Sequence, residues 1–575
     1  MKNFKFKFFV PAIFMLLLGI ILTGCGEKHT IKFIANSRTY YTVETSGHEK
    51  IELPTIPFKA GHNFDGWFFD NGRWAQPFDE NTYQNQPLTH NVEVYAKFYE
   101  LEKFTISFYI GDTLYDTLET AGKGPLEFPD GPQKEYFTFD GWFFDNGTFE
   151  NQLTQDTYYV TPLTQNINVY GKQSCTFDSN LEYELSQDQT YYIVKGLGEC
   201  TSANIYIPDF HNGLPVKEIA KTAFYQSAQI EKVIIADNVE TIGEWAFSWC
   251  ENLVMVRMYE TSKLNSVGRC VFNCSKKLAE AHVPANLSVV GERMFAQCEP
   301  LAPTIHKPEN ITVLGDYAFY ETSVQTLKLT NLTSIGECCF SNCKSLAEFW
   351  LPKTLTTIGT SAFNETRKLK KVEIEDIESW CKVTIGGYFA VPWTYANTVY
   401  YQGEVLKNLV IPSTIKKINR FAFNDTKIET LTIHEGVEVI ESCAFTDSLR
   451  LKTINYYATN CTLNLMSSNH HYYIFEHCGA YSLTGGIKIP EGERNITVNI
   501  GANVQSIPSG LFYAAAAEYT PLIKTINFLG TTPPTLGENW LKVGSLQRIN
   551  VPTGTETAYK NVLGASFDKY FATEE

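Results

Sequence analysis

The densest group of chemically capable side chains in this chain is His470-His471 followed by His477-Cys478. Imidazole and thiolate are zinc ligands, but a zinc site draws them as spaced pairs from a rigid frame. Here there is neither a second pair nor a His-Glu-x-x-His. The run is therefore expected to be a surface loop with solvated histidines. Asp70-Asn71-Gly72 and Asp145-Asn146-Gly147 begin as calcium loops do, yet lack the further carboxylates at alternating positions that such loops need. Asn and Gly both tolerate positive φ, so each triplet is read as a tight hairpin after an aromatic strand. No Gly-x-Ser-x-Gly and no phosphate loop occurs, and Gly196-Leu197-Gly198 lacks the third glycine of a dinucleotide loop. The scattered carboxylates pair into no glycosidase site. No catalytic residue, metal ligand set or cofactor is expected, and the chain is read as non-enzymatic.

Fourteen cysteines remain to be placed. Cys250, Cys298 and Cys343 each lie three residues after a phenylalanine, Phe247, Phe295 and Phe340. A repeated register of this kind points to a column of buried thiols. Stacked rungs stand about 4.8 Å apart, but parallel side chains on successive rungs rarely meet the torsion a disulfide requires. Cys338-Cys339 follows the same reading, and isolated bridges, Cys270 with Cys274 or Cys175 with Cys200, stay open as alternatives.

These residues are positioned by a repeat. Ile242-Gly243-Glu244-Trp245-Ala246-Phe247 returns in variant form around Phe224, Phe272, Phe295, Phe319, Phe340, Phe363, Phe423 and Phe445, and again at Ile507…Phe512. A period of about 23 residues marks a solenoid in which each coil covers its neighbour's apolar face. Short β-branched strands precede several tracts, among them Ile205-Tyr206-Ile207-Pro208, Trp350-Leu351-Pro352, Leu409-Val410-Ile411-Pro412 and Ile487-Lys488-Ile489-Pro490. One strand per coil makes a parallel ladder, and proline at the exit ends the strand where its N–H is no longer needed. The Ile-Gly-x-x-Ala-Phe tract forms a second side, with Phe as the interior plug. Ordering one coil costs far more than burial of one Phe returns, at about 1.5 kcal/mol per residue against about 1.5 to 3 kcal/mol for the ring. Stability must therefore come from stacking.

Ahead of the solenoid lies a duplication aligned on Phe64-Asp65-Gly66-Trp67-Phe68-Phe69 and Phe139-Asp140-Gly141-Trp142-Phe143-Phe144. Each copy opens on an alternating strand, Thr30 to Ile34 or Phe104 to Phe108, and closes on another, Val92 to Lys97 or Ile167 to Lys172. Trp67 and Trp142 occupy matching points of the strand pattern and are read as core anchors. At the N-terminus, Lys2, Lys5 and Lys7 precede an apolar run from Phe8 to Leu22 that ends in Leu22-Thr23-Gly24-Cys25. The run is too short for a confident membrane span and reads as a secretion signal. The tetrapeptide resembles a bacterial lipobox, which implies cleavage before Cys25 and lipid on its thiol.

The solenoid pattern resembles the BspA-like leucine-rich repeat family of bacterial surface proteins. Asn replaces Gly at Ile418-Asn419 and Glu replaces it at Ile440-Glu441, and the tract is irregular around Cys270-Val271-Phe272. The duplicated segments resemble the Listeria–Bacteroides repeat, also called the internalin B-type B repeat. The implied fold is mainly β: a leucine-rich repeat solenoid with a parallel β ladder of about ten coils, preceded by two small β-grasp-like modules. The expected division is a lipoprotein signal at 1–24, an anchor and tether at 25–29, modules at 30–99 and 103–172, and the solenoid at 191–575. Two longer intervals, Asp376 to Lys407 and Asn455 to Gly486, interrupt the period, and the first resembles an extended hairpin coil common in relatives. Tyr191 to Pro215 resembles an opening cap and Val551 to Tyr559 a closing segment.

The formal charge of −16 has no basic block to offset it, so nucleic acid is excluded as a partner. The expected partners are a membrane, through the N-terminal lipid, and an extracellular protein or polysaccharide. The resemblance implies adhesion to host matrix proteins or neighbouring microbes, on the outer face of a bacterial envelope. An envelope scaffold acting near the membrane or cell wall is the alternative, and a metal-dependent hydrolase is less favoured. The sequence marks no binding residue.

Overall fold

The computed structural model describes residues 27–396, 398–465, 473–479, 495–514, 519–542 and 544–571. The expected signal with Cys25, the pair His470-His471 and the strand Ile487-Lys488-Ile489-Pro490 lie outside these residues. The chain divides into two compact units between Ser174 and Cys175.

The first unit contains two copies of one mixed five-stranded sheet. In the first copy, His29–Ala35 pairs antiparallel with Arg38–Thr45 and parallel with Val92–Glu100. Val92–Glu100 pairs antiparallel with His62–Phe68, whose other neighbour is Pro77–Phe78. Phe104–Ile110, Thr113–Thr120, Ile167–Cys175, Phe137–Phe143 and Gln152–Leu153 repeat that order. It is the strand order of a β-grasp, with no helix crossing either sheet among the described residues. Alternation sends Ile31, Phe33 and Val94 into the core, where the Trp67 ring meets Phe33 edge-on at 4.9 Å. Trp142 meets Phe108 in the same way at 4.8 Å.

The Asp-Asn-Gly triplets do not make tight hairpins. Phe69 to Gln76 forms a wide loop wound around the Asp70 carboxylate, which accepts the N–H groups of Ala75 and Gln76 at 3.0 Å. Asp145 accepts from Glu150, Asn151 and the Thr148 hydroxyl. Burial pushes its carboxyl up, but these bonds outweigh that and bring it to about 2. The carboxylate satisfies several loop amides at once, which a two-residue turn would not present to it.

The second unit is a parallel β-solenoid of about 14 turns, against about ten read from the tracts. Turns without a clear tract include the opening strand Tyr192–Gly196, which pairs parallel with Leu214–Ile219, the coil carrying Phe475, and a closing coil with Leu541 in the Phe position. The ladder face runs in three stretches, from Asn204–Ile207 to Thr304–Ile305, from Thr326–Leu327 to Val399–Tyr401, and from Asn408–Val410 to Arg548–Asn550.

The opposite side of each coil is a run of turns. From Phe224 to Phe445 the residues two before and two after each column Phe are left-handed, as with Tyr317 (φ 57°) and Glu321 (φ 56°) around Phe319. This alternation aims every second N–H at the next coil: Tyr317 to Glu337 O at 2.7 Å, Phe319 to Cys339 O at 3.0 Å and Glu321 to Ser341 O at 3.0 Å. The intervening amides close local turns, Ala318 to Gly315 O and Tyr320 to Tyr317 O. Left-handed backbone is unfavourable for a non-glycine residue, and here the ladder bond offsets it at each step. The rings stack inside. Phe224, Phe247, Phe272, Phe295, Phe319, Phe340 and Phe363 form one column, and Phe423, Phe445, Phe475 and Phe512 another, with neighbouring centroids between 4.9 and 6.0 Å.

Between the two columns the coil 376–407 replaces a standard turn. Ala422 and Asn424 flank Phe423, and their carbonyls would ordinarily accept N–H groups from the preceding coil. Instead the indole N–H of Trp380 donates to Ala422 O at 2.7 Å, and that of Trp393 to Asn424 O at 2.6 Å. Both tryptophans are buried. Asn419, where the glycine is lost, donates its side-chain amide to Val383 O in this coil. The last turn is closed by the helix Glu556–Leu563, from which buried Tyr559 donates its hydroxyl to Gly530 O at 2.7 Å. No helix among the described residues is long and apolar enough to cross a membrane.

Candidate interaction surface

The structure brings the chemically capable residues of the sequence into the packing of the coils. Cys478 lies three residues after Phe475, in the register of Cys250, Cys298 and Cys343, and all four are fully buried. Each thiol donates to the carbonyl of the preceding coil's Phe: Cys250 to Phe224 and Cys298 to Phe272 at 3.1 Å, Cys343 to Phe319 at 2.9 Å, Cys478 to Phe445 at 3.2 Å. Ser275 does the same for Phe247 at 2.8 Å. Burial pushes the Cys250 thiol up to about 12. All thirteen described cysteines are free thiols, including Cys270, Cys274, Cys175 and Cys200.

His477 is likewise no solvated loop residue. It sits two after Phe475, is 8% exposed, and places Nδ1 3.0 Å from Asp447, which occupies the same register one coil earlier. Tyr388 from the inserted coil donates to Asp447 at 3.1 Å. The neighbouring Glu476 is buried, which raises its carboxyl to about 7. His477 pulls it down and Asp447 pushes it up. Among the described residues no group of three His, Cys, Asp or Glu side chains is disposed to hold a metal ion. The sequence signal for a coil here, not used in reading the run as a loop, is the spacing Phe475-x-x-Cys478, the same as Phe247-x-x-Cys250.

With these groups inside, what the molecule presents is the outer face of its ladder, where every second strand residue points away from the core. In the first stretch that face is not open. Ile234 and Met255 point outward by alternation yet are 0% and 4% exposed, and Arg257, Glu280, His282 and His306 close a network on one another.

The middle stretch is different in kind. Register aligns Glu348 with Lys371, and Trp350 with Glu373 and Tyr400; Lys328 precedes Trp350 in the same column. The ammonium groups of Lys328 and Lys371 lie 5.5 and 5.8 Å from the Trp350 ring centre, and Lys371 lies 5.5 Å from that of Tyr400. Lys371 is also 3.5 Å from Glu373. The result is a half-buried Trp–Tyr pair with lysine and glutamate beside it over four successive rungs, and Trp and Tyr are the residue types enriched at interface anchors.

In the last stretch the outward columns carry almost no charge. One reads Thr430, Thr453, Thr497, Thr525, Arg548, and the next Thr432, Asn455, Asn499, Asn527, Asn550. The amides bond in series, Asn499 to Asn455 at 2.8 Å, Asn527 to Asn499 and Asn550 to Asn527 at 2.7 Å. Each amide spends one donor and one acceptor along the column, so each interior amide keeps one of each for solvent or ligand.

Comparison with known proteins agrees with this architecture. The model of the BspA type leucine rich repeat region matches residues 217–331, 265–382 and 394–489, and that of the Listeria-Bacteroides repeat domain matches residues 29–97. The second module has the strand order of the first but is outside that match. Internalin H of Listeria monocytogenes is 28% identical over 125 residues, 22% of this chain and 22% of that protein. A membrane protein of Evansella cellulosilytica is 30% identical over 119 residues, 20% of this chain and 17% of its own. The chain thus spans less than a quarter of the length of either relative. A leucine rich cell surface protein of Faecalibacterium prausnitzii, of known structure, aligns over 67% of this chain and 96% of its own at 17% identity and a TM-score of 0.32. A leucine-rich repeat protein of Bacteroides ovatus aligns over 65% and 90%, at 19% identity and a TM-score of 0.31.

Proposed function

We propose that this chain, a BspA-type leucine-rich repeat protein with a Listeria–Bacteroides repeat before its solenoid, is a non-catalytic interaction protein of the bacterial surface. In this reading it is held to a membrane by lipid on Cys25 and engages a protein or glycan partner through the middle stretch of its ladder. The observation that carries the reading is the outward column Lys328, Trp350, Glu373, Tyr400. A Trp–Tyr pair between charges presents large contact area at low conformational cost, and its rigidity comes from the ladder beneath. Among the described residues, the thiols of Cys250, Cys298, Cys343 and Cys478 and the imidazole of His477 lie in the packing between coils.

The test is a binding screen of the chain against immobilised matrix proteins and polysaccharides, followed by Trp350→Ala. Loss of a centrally placed aromatic anchor should weaken the selected partner on the order of thirtyfold while leaving the fold intact. Binding that survives Trp350→Ala and Tyr400→Ala together, or that resides in residues 29–172, would refute the assignment. Antibody labelling of intact cells through the solenoid supports surface display; labelling only after wall removal would favour the envelope scaffold. Mass spectrometry of the mature N-terminus tests Cys25, and an unmodified thiol there would remove the anchor.

A further inference from the structure

The outward alternation of the last stretch continues one residue pair beyond its strands, and there it meets a gap. Register extends Thr432-x-His434, Asn455-x-Tyr457, Asn499-x-Gly501 and Asn527-x-Leu529 into one column, fixed by Tyr457 N–H to Ile433 O, Gly501 N–H to Tyr456 O and Leu529 N–H to Ile500 O, each 2.9 Å. Gly501 puts no side chain between Tyr457 and Leu529, whose rungs are therefore about 10 Å apart. A Cβ at Gly501 would stand 2.7 Å from the Tyr457 ring, so the absence of that atom is what lets the ring settle there. The gap opens into a pocket of about 560 Å³, within the ~300 to 1,000 Å³ usual for small-ligand sites.

The chemistry of its lining is narrow. Tyr457 supplies an aromatic face, Leu529, 50% exposed, an apolar wall, Asn503 an amide, and Glu435 a carboxylate. His434 is used up locally: Nε2 donates to Ile415 O at 2.9 Å and Nδ1 accepts the Gly436 N–H at 3.0 Å. Among the described residues no lysine or arginine lines the pocket, so phosphate, sulfate and carboxylate ligands find no counter-charge there. A single aromatic ring makes no cage for a cation. Beside the pocket run the Thr and Asn columns, with spare amide donors and acceptors at a rung spacing of about 4.8 Å.

We infer that this pocket and the adjoining Thr–Asn columns bind a neutral oligosaccharide, one sugar ring stacked on Tyr457 with Glu435 and Asn503 accepting from and donating to its hydroxyls. Glu435 is the only carboxylate in the lining among the described residues, so they hold no pair of the kind glycoside hydrolysis needs, and the sugar is held, not cut. The inference rests on the reading of the ladder's outer face as a binding surface, but uses a stretch remote in register from Trp350.

The experiment is titration calorimetry of the full chain, purified in detergent micelles, against cellohexaose, xylohexaose, maltohexaose and chitohexaose, with octalysine and a heparin hexasaccharide as charged probes. At least one neutral hexaose should bind, Tyr457→Ala should weaken it on the order of thirtyfold, and Tyr457→Phe should stay within about threefold because the ring face is kept. Trp350→Ala should leave hexaose binding unchanged. The inference is overturned if no neutral hexaose binds, if Tyr457→Ala binds as well as the parent at an unchanged melting temperature, or if octalysine or heparin binds more tightly than every neutral hexaose. Failure of the sugars alongside a partner still lost in Trp350→Ala would sink this site and leave the middle stretch standing. Hexaose binding alongside a Trp350→Ala variant that loses nothing would do the reverse.

Discussion

Replacing Phe319 with Ala removes a ring from the middle of the longer column. Phe319 is fully buried and stacks on Phe295 at 5.7 Å and Phe340 at 5.6 Å, with interplanar angles of 16° and 7°. Truncation of a buried Phe costs about 3 to 5 kcal/mol. The loss of two stacked pairs, each contributing about 0.5 to 1.5 kcal/mol beyond buried area, puts this site toward the upper end. The damage should be local, because each coil is stabilised only by its neighbours. Phe319 N–H donates to Cys339 O and Phe295 N–H to Ala318 O, so these amides report directly on the opening of the affected rungs. Hydrogen exchange followed by mass spectrometry should show those amides exchanging on the order of a hundred to several thousand times faster, from the same 3 to 5 kcal/mol. Amides of residues 29–174, in the other compact unit, should not change. Acceleration below tenfold at these rungs, or equal acceleration across both units, would refute the view that stability is shared between neighbouring rings.

Three other perturbations separate the roles of residues that look equivalent. At Gly336 an added Cβ would meet Asp316 N at 2.4 Å, whereas at Gly291 the nearest atom is 3.6 Å away; Gly336→Ala should therefore lower the melting temperature by several degrees and Gly291→Ala should not, in paired thermal scans. Trp393→Phe keeps most of the bulk but leaves the buried Asn424 carbonyl without its indole donor, which should cost about 1 to 3 kcal/mol in denaturant titration and raise exchange in the coils flanking 376–407. Burial raises the Glu476 carboxyl to about 7; its folded value then exceeds the unfolded one, so its contribution is full below about pH 4.5 and is lost as pH rises through 7. Glu476→Gln should accordingly melt near the parent at pH 5 and above it at pH 8, and a difference that is flat or reversed would contradict the burial.

The β-solenoid and its mainly β class were legible because a coil's plug is a local matter. Phe, a small residue before it and a thiol or hydroxyl three residues after recur in most repeats, so the plug of most coils can be read within one repeat. Phe475 lies in a run that its histidines and its place in a long interval mark as a solvated surface loop, although its Phe-x-x-Cys spacing matches that of Cys250 and Cys298. The Asp70 and Asp145 loops depart from a tight hairpin because a carboxylate that gathers amides five and six residues ahead competes with the two-residue turn that Asn-Gly favours.

The sequence by itself determined that the coils stack and which side chain fills most of them, since periodicity and side-chain size act within a single repeat. Only the tertiary structure decided which outward residues stand together. Lys328, Trp350, Glu373 and Tyr400 meet through parallel register across coils of unequal length, and Tyr457 faces an opening because the next rung happens to place glycine beside it. Register is set by the sum of every preceding coil, so neighbourhood on the ladder face is a property of the whole stack and not of any segment within it.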